Sequence, residues 1–80
     1  MQSIKIVTQD ACSYCVAAKN LLTSRSVDFE EIHLVKQADQ ARELLLQATQ
    51  RTMPQIFIDG EAIGGFTELN QLVKSGDLTS

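Results

Sequence analysis

Two cysteines stand three residues apart, at Cys12 and Cys15, and the 80-residue chain contains no others. They follow an apolar run and precede a stretch with helical character. A thiol at the first turn of a helix lies near unpaired backbone N–H groups and the positive end of the helix dipole, which favour the thiolate. The thiolate is the species that attacks disulfides. Because the second thiol is one turn along, the pair predicts thiol–disulfide exchange.

The two thiols are expected to play different parts. Cys12 at the helix opening should have a pKa below the free value of about 8.5 and act as the nucleophile. Cys15, one turn inside, should stay a thiol and resolve the intermediate. Structural thiols or half of a zinc site are the alternatives. A closed zinc site needs four ligands, and His33 is the one further soft candidate in the chain, so zinc would require a site shared across a dimer.

A proline stands at the start of a predicted strand, in Met53-Pro54. A trans bond that ends the preceding helix is the usual case for such a proline. A cis bond is the alternative, and it would turn the backbone of Met53 towards an extended disulfide substrate. Proline statistics by themselves favour trans.

The segment 64–68, Gly-Gly-Phe-Thr-Glu, has two readings. Its glycines could simply turn the chain while Phe66 packs in the core. Alternatively, the glycines let the backbone approach a ligand, and N–H groups at a helix start bind a carboxylate. Thr67 would then add a hydroxyl and Glu68 would pair with an ammonium group. Tyr14 is either an exposed aromatic or the wall of a small-molecule groove.

These groups must be positioned by a βαβαββα succession of elements. Alternation at the start favours a parallel pair with a helical crossover, and Asp59-Gly60 is a hairpin signal that adds an antiparallel pair. Gly76 can end the last helix. The predicted elements are strand Ile4–Thr8, helix Ser13–Arg25 with apolar Val16, Ala17, Leu21 and Leu22, strand Val27–Leu34, helix Gln37–Gln50 with apolar Ala41, Leu44, Leu45 and Ala48, strand Gln55–Ile58, strand Glu61–Ile63 and a helix opened by Gly64-Gly65.

Composition excludes several classes of function. The net charge of −3 and the scattered basic residues do not support nucleic-acid binding. No apolar stretch is long enough to span a bilayer, and the first residues show no secretory signal, so a cytoplasmic location is expected. In a reducing compartment, a lone Cys-x-x-Cys is catalytic or metal-binding more readily than it is a structural staple.

Three separated motifs together resemble the signatures of glutaredoxins, in order and spacing. They are Cys12-Ser13-Tyr14-Cys15, the segment 51–60 (Arg-Thr-Met-Pro-Gln-Ile-Phe-Ile-Asp-Gly) and the segment 63–69 (Ile-Gly-Gly-Phe-Thr-Glu-Leu). The resemblance implies a single α/β domain over residues 1–80 with a thioredoxin-like fold, a four-stranded mixed sheet, three helices and a cis Pro54. It also implies glutathione-dependent reduction of protein disulfides and of protein–glutathione mixed disulfides. The expected partners are glutathione and disulfide-containing or glutathionylated proteins, ribonucleotide reductase among them, and we expect a monomer.

The resemblance also assigns residues. Cys12 matches the family's nucleophile and Cys15 its resolving thiol. Met53 corresponds to the position whose backbone pairs with the cysteinyl part of glutathione, and Glu68 to an acid near the glutamyl ammonium. The residues expected to bind glutathione are Tyr14, Arg51, Thr52, Met53, Pro54, Gly65, Phe66, Thr67 and Glu68.

Two positions depart from the family's pattern. Gln9 stands where many members have a lysine that holds the glycyl carboxylate and stabilises the thiolate, so both effects should weaken unless Lys19, Arg42 or Arg51 reaches in. Ser13 stands where proline is common, and some members with serine there hold a [2Fe–2S] cluster between two protomers through the first cysteine and glutathione. A cluster carrier is therefore the second hypothesis, and a thioredoxin-type reductant recharged by a flavoprotein is the third.

Overall fold

A four-stranded mixed sheet and three helices form the fold in the computed structural model, which describes residues 3–48 and 52–76. The predicted thioredoxin-like βαβαββα order is confirmed. The elements are β1 (Ile4–Thr8), α1 (Ser13–Ser24), β2 (Glu30–His33), α2 (Ala38–Leu45), β3 (Gln55–Ile58), β4 (Glu61–Gly64) and α3 (Phe66–Ser75).

The strands lie in the order β2-β1-β3-β4. β1 and β2 are parallel, with Val7 opposite Ile32, because α1 crosses over between them. β3 runs antiparallel to β1 and pairs Ile56 with Ile6, and β4 runs antiparallel to β3. The carboxyl end of β1 consequently points to the loop that carries Cys12.

The sheet is covered on both faces, and the alternation of strand side chains divides the core into two layers. Ile6 and Ile56 pack against Ala18 and Leu22 of α1 and Leu69 of α3. On the other face, Val7, Ile32 and Phe57 pack against Ala41 of α2. Leu44, Leu45 and Ala48 pack at the edge of this second layer, so the apolar face predicted for α2 is confirmed.

The predicted hairpin and helix end are confirmed where their local signals are strongest. Asp59 and Gly60 both adopt positive φ, 52° and 84°, as the primed turn between β3 and β4 requires. Gly76 ends α3 in the left-handed conformation, with φ of 82°, and its N–H bonds to the carbonyl oxygen of Val73.

Three predicted features differ from the structure. β2 is half the predicted length: Ser26 takes φ of 57° and the Val27 N–H bonds back to the Leu22 carbonyl, so the segment before Glu30 closes α1 instead of pairing with β1. The buried face of α1 is Cys15, Ala18 and Leu22, whereas Val16 is 53% exposed. α2 ends at Leu45, and the predicted extension to Gln50 reaches residues outside the described part.

Candidate active site

Cys12 and Cys15 form a disulfide at the start of α1, with their Cα atoms 5.2 Å apart. Cys12 is the residue that caps the helix, with extended backbone angles, and its carbonyl oxygen accepts the Val16 N–H. Its Sγ accepts a hydrogen bond from the Cys15 N–H at 3.1 Å. The sulfur thus takes the place that a serine or aspartate oxygen usually occupies at a helix start.

The two sulfur-bearing residues differ in their access to solvent. Cys12 is half-buried, whereas Cys15 is 2% exposed. Once the bond is reduced, a negative charge on Cys12 would be stabilised by the Cys15 N–H and the helix dipole. A charge on Cys15 would lack most of its hydration. The arrangement therefore provides one accessible, stabilised sulfur and one protected sulfur.

The Met53-Pro54 bond is cis, as the resemblance implied. This loop lies against the start of α3: a Cβ on Gly65 would sit 3.2 Å from the Pro54 carbonyl oxygen and 3.7 Å from Thr52 Oγ1. A side chain at position 65 would be tighter than an ordinary contact, and the Pro54 carbonyl would have to shift by a few tenths of an ångström. The buried Gln55 side chain supports the loop by donating to the Thr52 carbonyl oxygen. Glycine at position 65 thus allows the close approach of the two backbones.

A groove of about 760 Å³ lies between this loop, the start of α3 and Tyr14. We call it the first groove. Its wall includes eight of the nine residues predicted to bind glutathione, and Arg51, the ninth, lies outside the described residues. Gln9 and Leu34 complete the wall. Tyr14 is 63% exposed, its ring centroid is 5.9 Å from that of Phe66, and it lines the first groove.

Glu68 contacts the backbone of its own helix. Its Oε1 accepts the Gly65 N–H at 2.8 Å, which satisfies one of the unpaired donors at the start of α3. The Gly65 N–H is one of the helix-start donors that the sequence predicted for a ligand carboxylate. It is already bonded to Glu68. The N–H groups of Phe66 and Thr67 lie in the first turn of α3, where backbone donors have no acceptor inside the helix.

A second groove of about 690 Å³ is lined by both cysteines, whereas the wall given above for the first groove contains neither; Gln9 lines both grooves. Its wall contains an ion pair between Lys19 Nζ and Glu31 Oε2, 3.1 Å apart, and a contact of 3.0 Å between His33 Nε2 and Asp10 Oδ1. Lys19 therefore lines this groove and not the first one, so it does not replace the lysine missing at Gln9.

Glu31 lies on the edge strand β2 and is exposed, yet its carboxylate is hydrogen-bonded within the protein. Thr8 Oγ1 donates to its Oε2 at 2.6 Å, and Lys19 shares the same oxygen. The hydrogen bond from Thr8 lowers the pKa of Glu31 more than burial raises it, and the positive charge of Lys19 adds to the lowering. His33 is buried and both of its ring nitrogens have hydrogen-bond partners. No spacing in the sequence indicated the contact of His33 with Asp10.

No group of three or more possible metal ligands occurs among residues 3–48 and 52–76. Within the same ranges, no helix has the length and apolar character needed to cross a membrane.

Comparison with known proteins agrees with this geometry. Residues 4–63 match the family model for glutaredoxin. The chain is 38% identical to glutaredoxin 3 of Escherichia coli over 78 residues, which cover 98% of this chain and 94% of that protein. The dithiolic glutaredoxin 2-C-Grx1 of Trypanosoma brucei brucei superposes with a TM-score of 0.77 at 34% identity, covering 96% of this chain and 82% of that one.

A buckwheat glutaredoxin–glutathione complex superposes with a TM-score of 0.80 at 28% identity, covering 96% of this chain and 73% of that one. The joined cysteine pair, the sheet order and the full-length similarity all agree. The chain belongs to the glutaredoxin family and is a dithiol glutaredoxin, a thiol–disulfide oxidoreductase.

Proposed function

We propose that this oxidoreductase uses glutathione to reduce protein disulfides and protein–glutathione mixed disulfides, with Cys12 as nucleophile and Cys15 as resolving thiol. The observation that carries the proposal is the hydrogen bond from the Cys15 N–H to Cys12 Sγ, on a residue that solvent can reach. A sulfur held in this way is suited to be a thiolate at neutral pH.

The first groove supports glutathione as the ligand. Its wall offers the backbone of Met53, the first-turn N–H groups of Phe66 and Thr67 for a carboxylate, and the ring of Tyr14. These are the kinds of group that an extended, anionic tripeptide needs. Thr52, Pro54 and Gly65 shape the wall, and Glu68 orders it through the Gly65 N–H.

In the proposed reaction, the Cys12 thiolate attacks the glutathionyl sulfur of a mixed disulfide. A Cys12–glutathione bond forms while the bond to the target breaks, and the target leaves as a thiolate that takes up a proton. The thiolate of a second glutathione then attacks the bound glutathionyl sulfur, which releases glutathione disulfide and regenerates Cys12. With an intraprotein disulfide, Cys15 loses its proton and attacks the Cys12–target bond. The resulting Cys12–Cys15 disulfide is reduced by two glutathiones.

The test is a glutathione-coupled assay on the wild-type protein, Cys12→Ser and Cys15→Ser. We expect Cys12→Ser to abolish both reactions, because no nucleophile remains. Cys15→Ser should keep reduction of a peptide–glutathione mixed disulfide within a fewfold of wild type and lose most of its activity on an intraprotein disulfide. Equal, near-complete loss of mixed-disulfide reduction in both variants would contradict the division of roles.

A [2Fe–2S]-carrying dimer is the second candidate, and Ser13 at the first position of α1 is the observation that favours it. One chain has a single accessible cysteine, so such a cluster would need Cys12 from two protomers and sulfur from glutathione. Reconstitution with iron, sulfide and glutathione without oxygen should then give a brown dimer. A colourless monomer would exclude this candidate.

We also propose that residues 1–80 act as one monomeric domain in a reducing compartment that contains glutathione, such as the cytoplasm. Disulfide-containing and glutathionylated proteins, with ribonucleotide reductase one example, would be the substrates. Their identity can be tested by trapping mixed disulfides with Cys15→Ser.

A further inference from the structure

His33 is fixed by the turn that follows β2. Its backbone N–H donates to Gln37 Oε1 at 2.8 Å, and its carbonyl oxygen accepts the Gln37 N–H at 2.9 Å. Its ring Nδ1 accepts the N–H groups of Val35 and Lys36, at 3.1 and 3.2 Å. The side chain is only 11% exposed. The imidazole is therefore held in one position by the backbone around it.

These contacts also fix the tautomer of the neutral ring. Because Nδ1 accepts two hydrogen bonds, the neutral imidazole carries its hydrogen on Nε2. Nε2 lies 3.0 Å from Oδ1 of Asp10, which is 87% exposed on the loop before Cys12. His33 can thus donate to Asp10 without being charged.

The residue between Asp10 and Cys12 has an unfavourable backbone conformation. Ala11 has a φ of 55°, in the left-handed region that residues with a Cβ rarely adopt. A conformation of this kind persists only where neighbouring contacts impose it. The bond from His33 to Asp10 joins the residue just before Ala11 to a rigid part of the fold. Cys12 follows Ala11 directly, so the backbone of this loop determines where the Cys12 side chain lies.

We propose that His33 and Asp10 are positioning residues that hold the loop 9–11, and thereby keep Cys12 Sγ at the Cys15 N–H. This inference rests on the proposed role of Cys12 as nucleophile. Neither residue is assigned a part in the bond-forming steps. Loss of the contact would let Ala11 relax and move the sulfur away from its backbone donor, which would make the thiolate less stable and the attack slower.

The negative charge of Asp10 should destabilise the Cys12 thiolate, whereas its hydrogen bond to His33 should stabilise it. The experiment must therefore separate these two effects. A carboxylate near Cys12 disfavours a second negative charge, so removing it should by itself favour the thiolate. The other charged groups in this groove are Lys19, Glu31 and Lys36, and they are unchanged in the comparison below. Asp10→Asn and Asp10→Ala both remove the charge, but only Asp10→Ala removes the oxygen that accepts from His33.

The experiment measures the alkylation rate of reduced Cys12 with iodoacetamide as a function of pH, together with mixed-disulfide reduction. We expect the Cys12 pKa to be higher in Asp10→Ala than in Asp10→Asn, and its mixed-disulfide turnover to be roughly fivefold lower, the size expected for one lost hydrogen bond. The double variant Asp10→Asn with His33→Asn keeps the amide at position 10 but lacks a donor that reaches it. That variant should behave like Asp10→Ala.

Equal Cys12 pKa values and equal turnover in the two charge-matched Asp10 variants would overturn the proposal. Because Asp10 is exposed, both variants should fold. Equal melting temperatures would establish that a difference in their Cys12 pKa or turnover does not come from a difference in stability. The alkylation profile needs no glutathione. If the wild-type protein failed to use glutathione, the proposed function would fail while the profile still decided the role of His33 and Asp10.

Discussion

The first groove and the second groove, which share Gln9 in their walls, differ in how their polar groups are satisfied. In the second groove, charged side chains bond to one another: Lys19 to Glu31, and His33 to Asp10. In the first groove, the first turn of α3 presents N–H groups that have no acceptor within their helix. A groove with open donors is suited to bind an anion, whereas a groove with paired charges is suited to hold the active-site loop in place.

A change no larger than that expected for Asp10→Ala is expected from Gln9, which lies in the walls of both grooves. Gln9→Lys would place a cation beside the first groove and near Cys12. We expect about a two- to fivefold lower KM for a glutathione mixed disulfide, because a charge interaction at a partly exposed site contributes about 0.3–1 kcal/mol. The gain should shrink as salt is added.

Gln9→Met is the matched control, because it keeps the length of the side chain without a charge. It should not lower KM. If Gln9→Lys left KM unchanged at low salt, position 9 would not lie within reach of the bound anionic ligand.

The smallest effect is expected from the second groove, in the pH dependence of stability. The pKa of Glu31 is lowered from its ordinary value of 4.5, chiefly by the hydrogen bond from Thr8. A lowered pKa in the folded state stabilises the protein above the unfolded pKa, and this contribution is lost as the pH falls through the folded value. Since both partners of the ion pair are about one-third exposed, the effect should be below about 1 kcal/mol.

Thr8→Val tests this by removing the hydroxyl while keeping the shape of the side chain. Its loss of stability relative to wild type, measured by urea unfolding, should be larger at pH 7 than at pH 3. In the background of Glu31→Gln, which does not titrate, Thr8→Val should cost the same at both pH values. If Thr8→Val lowered the free energy of unfolding equally at both pH values in the wild-type background, Glu31 would not be the cause of the pH dependence.

Local signals in the sequence were sufficient for much of the fold. The bounds of β1 and β3 were predicted correctly because they are short apolar runs between clear loop signals, and Asp59-Gly60 specified its hairpin. The extent of β2 was not predicted correctly, because the bond from the Val27 N–H back to the Leu22 carbonyl depends on how α1 ends. Val16 was predicted on the apolar face of α1, but the buried residues of that helix are Cys15, Ala18 and Leu22.

The site residues that lie in local motifs were predicted from the sequence, whereas the contacts that depend on the folded chain were not. Eight residues of the first groove fall in the three motifs that carry the family resemblance, whereas Gln9 and Leu34 lie outside them. The bond of Glu68 to Gly65 and that of His33 to Asp10 join groups whose proximity only the folded chain determines. Residues 10 and 33 are far apart in sequence, and no periodicity relates them.

The central claim is that the Cys12 sulfur is an accessible thiolate stabilised by the start of α1. The pKa of reduced wild-type Cys12, measured from the pH dependence of its alkylation by iodoacetamide, tests this most directly. A value below the free-cysteine pKa of about 8.5, with Cys15 unmodified over the same range, is the predicted result. A value at or above about 8.5, or preferential modification of Cys15, would contradict the account.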